Sequence, residues 1–206
     1  MLDYWERRER LFRKSPEKEK QEEIRPDQQI RLASMIEESI VDGPGMRFVL
    51  FTQGCPHRCP GCHNPQTHAL NGGTMVSFER VLERYDRQPH VRGITFSGGE
   101  PFLQAGLLAK VAEAVHQRGG DVVVYTGHQL ERLQELAKGN AGILALLGET
   151  DLLIDGRFVQ EKRCLEAPFV GSSNQRLLAL SLLGNLLLND IPVLPNGPAI
   201  ERVTYC

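Results

Sequence analysis

Short apolar runs with β-strand character alternate with amphipathic helical patterns from Gln29 onward. Alternation of this kind predicts an α/β fold in which right-handed crossovers join the strands of a parallel sheet. Only five or six strand–helix units fit, so we expect an open, partial TIM-like barrel rather than a closed ring of eight. An apolar run at Arg176–Leu180 fits either a last strand or the start of a helix. The other predicted strands are Ile30–Met35, Phe48–Thr52, Gly93–Phe96, Val122–Tyr125 and Leu152–Ile154.

Capping and terminating residues place three helices between these strands. Ser77 is suited to begin a helix that runs to about Tyr85. A second helix is expected over about Gln104–Arg118, because the two glycines that follow are a strong C-terminal signal. A third should cover about Gln129–Lys138.

Composition divides the chain into three segments. Residues 1–28 are dense in charged side chains, which predicts an exposed extension, with a partner-docking arm as the alternative. Residues 29–190 carry the strand–helix alternation and form the main domain. Residues 191–206 are interpreted as a C-terminal tail.

The charge balance and the apolar segments argue against some classes of partner. A net charge of −2 gives no electrostatic reason to expect binding to nucleic acid or to an anionic membrane. The longest apolar stretch, Leu177–Leu188, is too short to span a bilayer and is broken by Ser181 and Gly184. The N-terminus shows no segment of the signal-peptide type, so we expect a cytoplasmic protein.

Three of the five cysteines, Cys55, Cys59 and Cys62, fall in one short loop. Thiolates are soft ligands that suit iron–sulfur clusters, zinc or copper(I). The spacing lets one loop hold three corners of a cubane. Neither Cys164 nor Cys206 is in a cluster motif, so one iron would lack a protein ligand and would be open to a small molecule. The alternative is a zinc site completed by a histidine: His57, His63 or His68.

Four short motifs directly follow predicted strands. They are Gly54-Cys55, Ser97-Gly98-Gly99-Glu100, Thr126-Gly127 and Asp155-Gly156. The carboxyl ends of parallel strands meet at one edge of a sheet, and the sites of such folds lie there. We therefore expect the four motifs to gather around one site.

The cysteine spacing, followed after the next strand by Gly98-Gly99-Glu100-Pro101, resembles the radical S-adenosylmethionine (SAM) superfamily. The Asp42–Phe48 segment and Cys62-His63-Asn64 are more narrowly similar to the activases of glycyl radical enzymes. The resemblance makes residues 29–190 the radical SAM domain. Three later segments resemble one branch, the activators of anaerobic (class III) ribonucleoside-triphosphate reductase: Val124–Gly127, Asp155–Gln160 and Gly171–Arg176.

The resemblance implies a [4Fe–4S] cluster on the three cysteines, with SAM bound to the open iron through its amino and carboxylate groups. The reduced cluster would cleave SAM to methionine and a 5′-deoxyadenosyl radical, while the protein supplies binding and orientation. That radical would take a hydrogen atom from one glycine of a large partner, the anaerobic reductase in the branch that this chain resembles. A low-potential reductant such as flavodoxin is also implied. The resemblance names no catalytic side chain.

The same resemblance implies SAM contacts in the motifs. Ser97 and Glu100 would accept hydrogen bonds from the ammonium group of SAM. The backbone of Gly98 and Gly99 would approach the ligand closely, although two glycines also suit an ordinary tight turn. Thr126 would offer its hydroxyl, or would cap the helix that follows.

Three more positions are assigned with alternatives. Arg157 would pair with the SAM carboxylate, although an exposed salt bridge explains it equally well. Many radical SAM loops place an aromatic residue before the third cysteine, where it contacts adenine, but this chain has Gly61 there. His63 is therefore the candidate adenine contact. Asp42 either shapes its turn or lines the mouth of the barrel.

Two other functions remain open at this point. Activases of pyruvate formate-lyase share the Asp-Gly-Pro-Gly and Cys-His-Asn patterns, so that enzyme or another glycyl radical enzyme is an alternative partner. The second alternative is a non-catalytic module that binds zinc or a cluster. About four irons with acid-labile sulfide would favour the radical SAM function, and one zinc without sulfide would favour the module.

Overall fold

A computed structural model describes residues 28–164, 166–192 and 198–203. Most of the predicted N-terminal extension lies outside these ranges, so the proposed division into segments stays a prediction. The strands are β1 (Gln29–Ser39), β2 (Arg47–Thr52), β3 (Thr74–Ser77), β4 (Gly93–Gly98), β5 (Asp121–Tyr125), β6 (Leu152–Asp155), β7 (Arg176–Ala179) and β8 (Ala199–Arg202). The helices of the described residues are α1 (Phe78–Asp86), α2 (Ala105–Gln117), α3 (Leu130–Ala137), α4 (Ala141–Gly148) and α5 (Leu182–Asn189).

The eight strands form one sheet in the order β3-β1-β2-β4-β5-β6-β7-β8. The four central strands, β2, β4, β5 and β6, are parallel, as the strand–helix alternation predicts. The expectation of a wholly parallel sheet is wrong on both flanks. There β1 is antiparallel to β2 and β3, and β7 is antiparallel to β6.

Connection length explains why β1 and β2 are antiparallel. Only residues 40–46 join β1 to β2, whereas a parallel crossover needs about a dozen residues or more. The connection from β6 to β7, residues 156–175, is long enough for a crossover, but its described residues contain no α-helix, and β7 lies antiparallel beside β6. The fold is therefore a mixed α/β sheet that does not close on itself, since β3 and β8 are its two edges.

Local capping explains where the helices begin. The Ser77 hydroxyl accepts a hydrogen bond from the Arg80 amide (3.2 Å), and α1 starts at the predicted place. The Asn140 side chain caps α4, a helix that was not predicted. The Ser181 hydroxyl accepts from the Gly184 amide (3.1 Å) and divides the apolar stretch into β7 and α5. Within the described ranges, no helix is long and apolar enough to cross a membrane.

Side chains alternate between two cores on opposite faces of the sheet. Val122 and Val124 of β5 join the core shared with α1 to α4, whereas Val123 joins a second core. The second core is covered by Leu187 of α5 and by Val170 of the loop before β7. Val170 also lines a cavity at the carboxyl ends of the central strands, and the candidate site lies there.

A buried arginine joins the amino ends of the central strands, at the opposite end from the site. Arg47 begins β2 and is fully buried. Its Nε donates to Thr95 Oγ1 (3.0 Å), and Nη2 donates to the Ile94 carbonyl (2.6 Å). Its Nη1 pairs with the Asp121 carboxylate at the start of β5. Charged hydrogen bonds thus connect β2, β4 and β5 at this end of the sheet.

Candidate active site

Two glycines let the loop after β4 pack directly against the cysteine loop after β2. The Gly99 amide donates to the Thr52 carbonyl, and the Glu100 amide donates to the Gly54 carbonyl, both at 2.8 Å. A Cβ on Gly99 would lie 2.3 Å from the Gly54 oxygen. Gly98 has φ +90°, and a Cβ there would lie 2.8 Å from the Phe51 backbone. These glycines therefore serve backbone-to-backbone packing, which brings the two motifs to the same end of the sheet.

A cavity of about 310 Å³ lies where these loops meet. Every predicted site residue lines it except Glu100 and Arg157. Asp42 lines the cavity too, which agrees with the second of its two interpretations. Several further lining residues were not predicted to contact the cluster or SAM: Val41, His57, Asn64, Tyr125, Phe158, Phe169, Val170 and Gln175.

All three loop cysteines face this cavity. The Cys62 amide donates to the Cys59 carbonyl (3.1 Å) and tightens the turn, while the Asn64 amide points at the Cys62 sulfur (3.4 Å). Burial raises the pKa of the Cys55 thiol, and hydrogen bonds from the backbone amides of His57 and Arg58 oppose this by a smaller amount. Iron binding replaces the thiol proton, so amides aimed at sulfur suit a thiolate ligand.

The positions of the cysteine sulfurs can be compared with the spacing that a single zinc ion requires. Bonds of about 2.3 Å from zinc to sulfur would place two thiolates about 3.8 Å apart. Among the described residues, one group of three ligand side chains has all its ligand atoms within 4.8 Å, and it contains no cysteine. Cys55, Cys59 and Cys62 do not form such a group, so their three sulfurs are not all within 4.8 Å of one another.

The group with all its ligand atoms within 4.8 Å consists of His57, Glu100 and His128. The Glu100 carboxylate of this group is engaged in hydrogen bonds within the protein. This side chain is fully buried and bonds to His57 Nε2 (2.7 Å). It accepts from the Thr126 hydroxyl (2.9 and 3.0 Å), the Gly127 amide (2.9 Å) and the Phe102 amide (3.1 Å). Glu100 thus links the loops after β2, β4 and β5, and its contact with SAM stays a prediction.

The histidines beside Glu100 pack on each other. The rings of His57 and His128 meet edge to face, with their centroids 4.5 Å apart. Burial lowers the pKa of His128, which favours its neutral form. His57 has a structural role that the cysteine spacing alone does not indicate, because it depends on a carboxylate from another strand.

In the Asp155-Gly156-Arg157 motif, Asp155 is buried and Arg157 is exposed. The buried Asp155 carboxylate accepts from Arg176 Nε (2.9 Å) and from the Leu130 amide at the start of α3 (2.8 Å). Arg157 is exposed, and its carbonyl accepts from the Asn174 side chain (2.9 Å). A contact between Arg157 and SAM therefore also stays a prediction.

Two residues that line the cavity, Tyr125 and Phe169, have an unusual pKa and an unusual backbone conformation, respectively. Burial raises the pKa of Tyr125, and the nearby charge of Asp42 acts in the same direction. Tyr125 therefore stays protonated and can donate a hydrogen bond. Phe169 has φ +66°, a conformation that is rare for an aromatic residue and that often occurs at functional sites.

Comparison with known proteins agrees with this site. Residues 41–178 match the family described as "4Fe-4S single cluster domain". The anaerobic ribonucleoside-triphosphate reductase-activating protein of Salmonella typhi is 35% identical over 144 residues, which cover 66% of this chain and 90% of that protein. The Escherichia coli K12 protein of the same name is 33% identical with the same coverage. The pyruvate formate-lyase-activating enzyme of Clostridium pasteurianum is 36% identical over 114 residues, 52% of this chain and 48% of that enzyme.

These matches confirm the resemblance to the activases and decide against the non-catalytic module. They also support a [4Fe–4S] cluster and SAM as the cofactors. The chain therefore belongs to the 4Fe–4S single cluster domain family and, within it, to the radical SAM enzymes that activate glycyl radical enzymes.

Proposed function

We propose that this chain installs a glycyl radical on an anaerobic ribonucleoside-triphosphate reductase. The observation that carries the proposal is the cysteine loop packed against the Gly98–Glu100 turn around one cavity. A bound cluster and SAM would supply the radical chemistry that removes a hydrogen atom from glycine, and the residues of this chain would hold and orient them. Low cluster potentials, down to about −700 mV, require a strong electron donor such as flavodoxin.

Different residues of the cavity would bind the cluster and SAM. Cys55, Cys59 and Cys62 would hold three irons of the cluster and leave the fourth to SAM. Ser97 and Thr126 would offer polar groups to the methionine part of SAM, beside the exposed backbone of Gly98. Before Glu100 can accept from SAM, it must exchange one of its present hydrogen bonds, and we propose that it first holds Thr126 in place.

Two features support a protein substrate rather than a metabolite. Among the described strands the sheet ends at β3 and β8, and we infer that it curves as a partial barrel with one open side. Ile40 and Val41 are 70% and 72% exposed, and Val41 lines the cavity. Exposed apolar side chains beside a site favour contact with another polypeptide. An active site sealed against anything larger than a metabolite would contradict this.

The test is a reconstitution with separate candidate partners. The cluster-loaded chain, SAM and a chemical reductant are mixed without oxygen with an anaerobic reductase or with pyruvate formate-lyase. We expect a glycyl radical signal by electron paramagnetic resonance on the reductase, and none with Cys59→Ala. A signal on pyruvate formate-lyase alone would assign the second partner instead. No signal on either, with SAM still cleaved, would reject both partners.

Pyruvate formate-lyase is the second candidate because its activase in Clostridium pasteurianum matches about half of this chain at 36% identity. The reductase activators match over a longer segment and nearly their whole length, so they are favoured. For either partner we infer that the chain works in the cytoplasm, because its cluster cysteines must stay reduced.

A further inference from the structure

The ring of Phe158 occupies a slot that two glycines from different loops leave open. A Cβ on Gly61, in the cysteine loop, would lie 3.3 Å from Phe158 Cε1 and 2.7 Å from Gln160 Oε1. A Cβ on Gly171 would lie 3.0 Å from Phe158 Cδ2. Larger residues at either position would displace the ring, so these contacts fix where it stands.

A second ring supports Phe158 within this slot. The imidazole of His63 packs against it, with centroids 4.9 Å apart and planes inclined at 49°. The amide of Val159, the next residue, donates to the Ser172 hydroxyl (3.2 Å) and holds the backbone beside Gly171. Phe158 is half-buried and lines the cavity, so part of its ring remains available to a ligand.

Polar and aromatic groups both line the cavity. Ser97, Thr126 and Gly127 offer polar groups, and Thr126 and Gly127 are bonded to the buried Glu100. Phe158, His63 and Phe169 are aromatic, and the rings of Phe158 and His63 pack together. SAM combines the same two chemistries, since its methionine part carries charged groups and its adenine is a flat aromatic surface.

We propose that Phe158 is the residue on which the adenine of SAM stacks. The inference rests on the proposed function, because it takes SAM to be the occupant of this cavity. His63 then supports the Phe158 ring instead of contacting adenine itself, which changes the role expected from the sequence. Phe169 is a poorer stacking surface because it packs with the second core.

The effect of removing the ring follows from the energy of aromatic stacking. Stacking of a base on an aromatic side chain changes affinity by roughly 5- to 150-fold on alanine substitution. We expect Phe158→Ala to weaken SAM binding within this range. Phe158→Tyr should bind SAM nearly as tightly as the unchanged chain does. Phe158→Leu keeps most of the side-chain volume but lacks the aromatic ring, so it should bind SAM more weakly than the unchanged chain.

The experiment measures binding instead of turnover. Dissociation constants of SAM and of free methionine are measured on the anaerobic, cluster-loaded chain by titration of the cluster's electron paramagnetic resonance signal. Methionine has the amino and carboxylate groups but no adenine, so Phe158→Ala should leave its binding unchanged. Phe78→Ala, which removes a half-buried aromatic ring on α1 away from the cavity, is the matched control.

Three results would contradict the inference. Unchanged SAM binding in Phe158→Ala would exclude stacking, while the proposed function would stand. Equal weakening of SAM and methionine would show a general disturbance of the site rather than loss of an adenine contact. If the unchanged chain bound methionine but not SAM, or neither ligand, the proposed function itself would fail.

Discussion

At the scale of single residues, Gly99 determines how closely the cysteine loop can approach β4. Its missing side chain lets the Gly54 carbonyl come within 2.3 Å of where a Cβ would be. The sequence predicted a glycine role at this place, but it assigned the close approach to the ligand. The structure shows a close approach between two backbone segments, which no local pattern could have indicated.

Substitution of Gly99 should therefore damage the cluster site. Gly99→Ala must push the cysteine loop away, and overpacking of this kind costs about 1–3 kcal/mol of unfolding free energy. We expect a lower iron content per chain and a lower midpoint of thermal unfolding. Gly139→Ala is the control, because no atom lies within 4 Å of the added Cβ. A Gly99→Ala chain with full iron content and unchanged stability would contradict this account.

The burial of Glu100 is also a residue-scale result that sequence reasoning missed. The motif predicted a carboxylate at the end of β4, and it is there, but its partners come from the loops after β2 and β5. Such partners depend on which strands become neighbours. The cysteines, in contrast, could be found from the sequence because their spacing within one loop already determines that they share a site.

At the scale of elements, prediction succeeded where the signal was local. Ser77 gave the start of α1, and the four central strands were found within a few residues of their observed ends. The short edge strands β3 and β8 were missed because neither has a buried, alternating apolar face. Antiparallel pairing of β1 and β7 was missed because it depends on the path of the connections and on which strands become neighbours, not on the strand sequences.

An ionic cluster joins α2 to the segment before β6. His116 lies near the end of α2 and bonds to Glu149 (2.8 Å) through Nδ1 and to Asp151 (2.9 Å) through Nε2. The hydrogen bond to Asp151 is the main cause that raises the pKa of His116 to about 9. The protonated imidazole thus helps to hold α2 against the start of β6.

This cluster predicts a dependence of stability on pH. Because the folded chain raises the pKa of His116 from 6.5, its stabilisation is complete below about pH 6.5 and is lost as the pH rises through 9. We expect His116→Gln to lower the unfolding free energy by about 1–2 kcal/mol at pH 6, after allowance for solvent screening, and by much less at pH 9.5.

Denaturant unfolding at several pH values would measure this difference. His90→Gln removes an exposed pair with Glu38 and should change stability little at either pH. An effect of His116→Gln that is equal at pH 6 and pH 9.5 would show that packing, and not charge, explains the contribution of this histidine.

At the scale of the whole molecule, the two ends of the sheet have different sources of stability. The amino ends of the central strands are held by the buried Arg47 and Asp121 pair and by both apolar cores. The carboxyl ends carry the cysteine loop, in which Pro56, Arg58 and Pro60 are exposed. The fold should therefore not depend on the cluster.

Removal of the cluster tests this difference. After anaerobic chelation of iron, we expect the far-ultraviolet circular dichroism and cooperative unfolding to persist, because Cys55, Cys59 and Cys62 belong to neither core. SAM binding should be lost, and limited proteolysis should cut first within residues 56–63. Global loss of secondary structure on chelation would show instead that the cluster is required for folding.

The shared carboxylate of Glu100 limits how this chemistry can be moved to another protein. Grafting residues 54–64 onto a different sheet would transfer the iron ligands but would separate His57 from its acidic partner. The acceptor scaffold would need an equivalent buried anion, with a hydroxyl and an amide already aimed at it. The smallest portable unit is therefore the set of three adjacent strand ends, and a designer who copies only the cysteine segment should expect a poorly ordered loop.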